Sequence, residues 1–245
     1  MKKRLDILLT EKGLAKSRTA AAQLIKEGSV TVNGVIVRKP SEQYDDTAEL
    51  AVAENSALTR YVGRGGLKLE TAIREFGISP RDRVCLDIGA STGGFTDCML
   101  QNGARKVYAV DVGTDQLDPK LRADSRVVSL ENTDIRSADD TLIPEKIGFI
   151  TADVSFISLK AVLPELRRFA ESGAVGTVLI KPQFELGRVK LGKSGVVKDP
   201  KLHERVVADI TAFAAALGFT EIRTVPSGIT GGDGNREFLM TFIIQ

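Results

Sequence analysis

One histidine, His203, in 245 residues rules out a metal centre built from histidine and cysteine ligands, which needs several such side chains together. His203 follows Asp199-Pro200, where a helix is expected to start, and reads as a surface residue of its first turn. There are only two cysteines. Cys85 lies in an apolar strand and Cys98 in a helix that should pack on it, so the pair reads as buried thiols rather than a bridge. With no secretory signal at the start, this usage points to a reducing cytoplasm. No apolar run approaches the roughly 20 residues of a membrane-spanning helix, and the stretch 239–244 is strand-sized. The expectation is a soluble chain with no membrane and no metal partner.

A formal charge of +2 excludes little, but it hides an asymmetry. Lys2, Lys3, Arg4, Lys12, Lys16, Arg18, Lys26, Arg38 and Lys39 face only Asp6, Glu11 and Glu27 in the first stretch. Residues 40–56 then carry five acids and no base. A basic head of this kind suits a polyanionic partner. The length accommodates one medium domain plus a small module.

Within the head, Leu5, Leu8 and Leu9 share a helical face and Gly13 supplies a stop. Ser17 is placed to cap a second helix whose buried side is Ala20, Ala21, Leu24 and Ile25, with Gly28 as its end. Residues 30–32 and 35–37 then flank Asn33-Gly34, a strong hairpin signal. Lys16, Arg18 and Lys26 fall outside the apolar face of the second helix. Beyond residue 57 the pattern breaks. Residues 59–66, with Arg60 and Arg64 among glycines, read as a basic linker between a head at 1–58 and a second domain at 67–245.

That second domain alternates strand and helix around residues 84–95. A short apolar strand there runs into a turn with three glycines in six residues, Gly89, Gly93 and Gly94, and then into a helix. Asp87, Gly89, Ala90, Ser91, Thr92, Gly93, Gly94 and Phe95 form the candidate cofactor loop. Its spacing, D-x-G-x-x-x-G-G, is not the G-x-G-x-x-G of dinucleotide sites. About 20 positions on, Asp111 closes a second strand where a carboxylate suits a ribose diol. Asp134 and Ile135 follow a third strand at 127–130. Asp153 ends a fourth and Lys181 a fifth. Lys68 stands on a helix at 67–76, and Glu237 opens the last strand at 236–244. Residues 187–195, with Arg188, Lys190 and Lys193, read as a basic loop. The fold class is α/β, with these element ends brought to one rim of a doubly wound sheet.

Set together, these motifs resemble known families. R-L-D-x-L-L followed by K-S-R-T-A-A-A-Q-L-I-K-E-G-S-V-T-V-N-G resembles the S4-type RNA-binding domain. The glycine loop resembles the first motif of S-adenosylmethionine (SAM) methyltransferases, whose acids after the second and third strands meet the ribose and the adenine amino group. Lys68, Asp153, Lys181 and Glu237 resemble the Lys-Asp-Lys-Glu tetrad of FtsJ-type ribose 2'-O-methyltransferases. The entire chain is similar to the TlyA family, enzymes often labelled haemolysins. The resemblance implies a Rossmann-like SAM-dependent methyltransferase domain acting on a cytidine ribose of ribosomal RNA, or of an assembled subunit. The early start of the head resembles the shorter type associated with large-subunit RNA. Arg4, Lys16, Arg18, Lys26, Arg60, Arg64, Arg188, Lys190 and Lys193 are then the RNA contacts.

The resemblance assigns Lys181 as the base. Two ammonium groups crowded into a partly dry pocket disfavour full protonation of both, Asp153 orients Lys181, and Glu237 holds Lys68 or the target ribose. Three rivals remain on sequence grounds. A nicotinamide-dependent oxidoreductase conflicts with the glycine spacing. A membrane-active, haemolysin-like protein lacks an amphipathic or spanning segment. A non-catalytic RNA-binding factor leaves the four rim residues without a role.

Overall fold

The computed structural model describes residues 2–53, 60–187, 195–231 and 233–245. The chain divides into two compact units, Met1–Arg60 and Tyr61–Gln245. The first comprises β1 (Lys2–Arg4), α1 (Leu5–Glu11), α2 (Arg18–Glu27), β2 (Val30–Val32), β3 (Val35–Ile36), β4 (Gln43–Asp45) and β5 (Leu50–Val52). Ser17 Oγ accepts the Ala20 N–H at 3.2 Å, and Gly28 ends α2 in the left-handed conformation. The Asn33-Gly34 turn joins β2 to β3, as expected. Strands β1, β4 and β5 were not legible in the sequence. β1 pairs with β4, and β5 completes a β3-β2-β5 sheet. Leu5, Leu9, Ala21, Leu24, Ile25, Val30, Val32 and Val37 form the core of this unit.

The second unit contains α3 (Gly65–Phe76), β6 (Val84–Ile88), α4 (Gly94–Gln101), β7 (Lys106–Val110), α5 (Pro119–Arg122), β8 (Val127–Leu130), β9 (Ile147–Ala152), α6 (Leu166–Phe169), β10 (Ala170–Ile180), α7 (Pro182–Glu185), α8 (Pro200–Ala216), β11 (Thr220–Pro226) and β12 (Phe238–Ile244). Its sheet runs β11-β12-β10-β9-β6-β7-β8. The five strands from β8 to β10 are parallel neighbours, and β12 is antiparallel to both β10 and β11. This is the doubly wound architecture expected, with its order reversing between β6 and β9, where such sheets open a crevice at their carboxyl ends.

Strand alternation divides the core into two layers. Leu86, Ile88, Ile150, Ala152, Val178, Ile180, Met240 and Phe242 pack with Val206, Ile210 and Ala214 of α8. Cys85, Val107, Phe149, Leu179 and Leu239 pack with Leu69, Ala72 and Phe76 of α3 and Phe95, Cys98 and Met99 of α4. Burial pushes both cysteine thiols up to about 12, so neither is a reactive thiolate.

Three local expectations differ from the structure. Tyr61 is buried, its hydroxyl donates to Glu70 Oε1 at 3.3 Å, and the Val62 N–H donates to Asp97 at 2.8 Å. Residues 61–66 therefore pack into the second unit, and α3 begins at Gly65 rather than 67. β10, the strand expected to end at Lys181, is long: it begins at Ala170, with a register shift before Val175. His203 is buried, not exposed: its Nε2 lies 2.9 Å from the Val197 carbonyl and its ring 5.8 Å from that of Phe238. The i, i+3, i+7 face of Val206 and Ile210 continues back to His203, which carries it inward.

Candidate active site

The glycine turn is shaped by what lies within contact of it. Gly89 adopts φ +78°, and a Cβ there would sit 2.6 Å from the Asp153 carbonyl oxygen. The strand end carrying Asp153 thereby approaches the loop backbone to backbone. A Cβ on Gly94 would lie 2.9 Å from the Gly66 nitrogen, so the first turns of α3 and α4 touch through glycine backbone. These approaches put Lys68, one turn into α3, beside the crevice. The commoner fate of a helical lysine is solvation, but Lys68 is buried.

A cavity of about 440 Å³ opens along the carboxyl ends of β6, β7 and β9, lined among others by Gly89, Ser91, Asp111, Asp134, Ile135 and Asp153. This is within the roughly 300–1,000 Å³ usual for a small-molecule site. Asp111 accepts backbone N–H groups from Ser91 and Gly113, each at 2.7 Å. The loop and the acid are therefore one preassembled unit. Asp134 faces the cavity with its carboxylate held by Arg136, which keeps it below the ordinary carboxylate range. A smaller cavity of about 190 Å³, lined by Gly65, Ala90, Thr92, Gly94, Phe95 and Lys181, shares Gly89, Ser91, Asp153 and Ser155 with the first. The larger chamber thus continues to the catalytic candidates.

There the four predicted rim residues converge. Lys181 Nζ lies 2.5 Å from Asp153 Oδ1 and donates to Ser155 Oγ at 2.8 Å. Lys68 Nζ lies 2.6 Å from Glu237 Oε2 and 4.0 Å from Asp153 Oδ2. Asp153 thus stands between two lysines, with Glu237 behind Lys68. The side chains of Lys68, Lys181 and Glu237 are each no more than 11% exposed, so the charges are held in a poorly hydrated setting where their geometry is fixed.

Two members of the predicted cofactor loop have other places. Asp87 is fully buried: Thr96 and Thr151 donate to its two oxygens at 2.7 and 2.9 Å. Burial, partly offset by those bonds, raises its carboxyl to about 6. It ties β6 to β9 and α4 instead of facing the cavity, because the alternation that points Leu86 and Ile88 to one core layer sends Asp87 beneath α4. Gly93 faces Leu117 and Leu121, where a Cβ would clash with both.

Sequence reading missed Ser155, Phe156 and Arg136. Phe156 is 92% exposed, has φ +64° and lines the main cavity. Its ring centroid is 5.2 Å from that of Phe184. A large apolar side chain in solvent on a strained backbone is an informative outlier at a site, yet only its neighbour Asp153 hints at it in the text of the chain. Of the basic candidates, Lys16, Arg18 and Lys26 are exposed in the first unit and Arg4 is half-buried there. Arg60 ends that unit and Arg64 stands immediately before α3. Arg188, Lys190 and Lys193 lie outside the described residues. No helix among the described residues is long and apolar enough to cross a membrane.

Comparison with known proteins agrees with this geometry. Residues 61–243 match the family model described as FtsJ-like methyltransferase, and residues 3–50 match the S4 domain. A Bacillus subtilis protein provisionally named an rRNA methyltransferase, YqxC, is 51% identical over 98% of this chain and 85% of its own. The 16S/23S rRNA (cytidine-2'-O)-methyltransferase TlyA of Mycobacterium tuberculosis is 42% identical over 97% of this chain and 88% of its own. A solved structure from Streptococcus thermophilus, provisionally named a hemolysin, superposes with a TM-score of 0.77 at 45% identity, covering 99% of this chain and 88% of the other. A doubly wound sheet with this crevice, matched along its length by a methyltransferase family, defines a methyltransferase. More narrowly, the chain belongs to the TlyA family of FtsJ-like methyltransferases that carry an S4 domain.

Proposed function

We propose that this enzyme transfers the methyl group of S-adenosylmethionine to the 2'-oxygen of a cytidine ribose in ribosomal RNA, and that Lys68, Asp153, Lys181 and Glu237 carry the reaction. The observation behind it is the paired arrangement of two lysines about Asp153 at the mouth of the cavity. The cavity suits the cofactor: Asp111 presents a fixed carboxylate for a ribose diol, and Gly89 and Ser91 line the same chamber beside it. Asp134 and Ile135 are the candidates for the adenine edge. When bound, the cofactor supplies an electrophilic sulfonium methyl.

A ribose hydroxyl is a weak acid, so its attack needs a base and an in-line approach. Asp153 and Ser155 fix Lys181 Nζ by two contacts. In its neutral form Lys181 would take the hydroxyl proton, and the bound cofactor would supply the methyl from its sulfonium, so no free alkoxide is needed. Glu237 holds Lys68, and Lys68 contributes its charge near the attacking oxygen. Phe156 offers an exposed aromatic face for the target base. The S4 domain supplies phosphate contacts that position the RNA without reading its sequence.

The test is to incubate the protein with methyl-labelled SAM and, separately, naked ribosomal RNA and each ribosomal subunit, then map the label. Incorporation that blocks alkaline cleavage at one cytidine is the expected result. Label on a base, or none on any RNA while SAM binds, would overturn the assignment.

A further inference from the structure

The S4 unit contains a charge cluster that sequence reading divided between partners. Asp6 stands in the first turn of α1, with its side chain only 5% exposed. Its backbone N–H is pinned to the Pro40 carbonyl at 3.1 Å. Arg4 donates to it from Nε and Nη2, both at 2.9 Å, in a two-pronged pair. Arg18, the first residue of α2, donates Nη2 to the same Oδ2 at 3.4 Å. The arginine side chains themselves are 42% and 60% exposed. The hydrogen bonds from Arg4, and to a lesser degree that from Arg18, hold the Asp6 carboxyl below its ordinary range.

We propose that Asp6 is a positioning residue that holds Arg4 and Arg18 together as one fork for a single RNA phosphate. This rests on the reading that the S4 domain binds ribosomal RNA. Asp6 takes two donors from Arg4 and one from Arg18, fewer than the five each guanidinium carries. Two cations around one buried anion keep a net positive charge. They also give up rotamer freedom before RNA arrives, a cost otherwise met at binding. A planar guanidinium whose plane is already fixed suits two-point contact with phosphate oxygens.

The sign of one substitution separates this from a simple charge effect. Asp6→Asn removes a negative charge from an RNA-binding surface. If net charge alone mattered, affinity for a fluorescein-labelled RNA hairpin would rise and its salt dependence would steepen. The fork predicts the opposite: binding by the full-length protein weakens roughly tenfold, in line with the freedom regained by two long side chains. A thermal melt establishes that the variant is folded. If it is not, Arg4→Lys decides, since it keeps the charge at a half-buried position but loses the two-pronged fit. It should weaken binding several-fold with the salt slope unchanged, and parental affinity in Arg4→Lys would overturn the proposal. So would tighter or unchanged binding by folded Asp6→Asn. The Arg4→Ala/Arg18→Ala double variant tests the underlying reading. If it binds RNA like the parent, RNA recognition through these residues falls with the fork; if it binds weakly while Asp6→Asn binds tightly, the fork alone falls.

Discussion

Substituting Gly89 by alanine tests the coupling between the glycine loop and the proposed catalytic cluster. The residue sits at φ +78°, where a side chain costs about 1–2 kcal/mol. The new methyl would also lie 2.6 Å from the Asp153 carbonyl oxygen and 3.0 Å from its carbon. Both are backbone atoms at the end of a central strand and cannot swing aside, so relief of this overpacking adds about 1–3 kcal/mol. The smaller entropy of the unfolded alanine chain offsets about 0.4–1 kcal/mol. The net destabilisation is about 3 kcal/mol, or a fall of roughly 6–12 °C in melting temperature for a unit of this size. Because relief requires Asp153 to move, Lys181 and Lys68 lose their shared partner, and methyl transfer should fall by more than the folded fraction accounts for. Scanning calorimetry, SAM titration and single-turnover methylation on the same preparation measure all three. An alanine variant that melts within a degree or two of the parent and methylates at the parental rate would refute the claimed backbone contact.

Lys181→Ala should reduce methyl transfer by about 10²–10⁴-fold, the usual worth of a general base, while SAM affinity is nearly unchanged. A melt accompanies the assay, since the variant leaves the Asp153 carboxylate with Lys68 at 4.0 Å and should lose some stability, and a parental rate would return Lys181 to a structural role. Asp87→Asn addresses pH dependence. Burial raises the folded carboxyl to about 6 from an ordinary value near 3.8, so its contribution to stability is fully present below about pH 4 and lost as pH rises through about 6. By linkage the loss is of order 3 kcal/mol, and replacing the titrating group should flatten the melting temperature profile between about pH 4 and pH 6. Parallel profiles for parent and variant would show that Asp87 does not titrate there. Phe156→Ala should leave stability unchanged, because the ring is 92% exposed, yet raise KM for RNA roughly 5- to 150-fold, given about 1–3 kcal/mol per stacked base. An unchanged KM would remove Phe156 from the RNA-binding surface.

Local chemistry determined much of this molecule from the sequence alone. The cap at Ser17, the Asn33-Gly34 turn and the strand–glycine–helix passage into Gly94 depend on neighbours in the chain, and each forms as its residues dictate. Short apolar runs bounded by turn residues gave β6, β7, β8 and β9, because a parallel strand buried on both faces carries its signal in its own residues. Knowledge of relatives, not periodicity, singled out Lys68 and Glu237, which meet only because α3 and β12 fold to the same end of the sheet. Tertiary structure alone decided what a polar side chain near the crevice would do. Asp87 and Asp153 each end or nearly end a strand beside a small-residue turn, but the pleat sends one beneath α4 to two threonines and the other between two lysines. His203 looked exposed at a helix start and is buried because the apolar stripe of α8 reaches it. The same limit hid the cluster at Asp6, because Arg4 is a neighbour in the chain but Arg18 reaches it only through the packing of two short helices. Short-range pattern specifies which elements form, whereas the fate of a charge depends on the dielectric and the partners that long-range packing places around it.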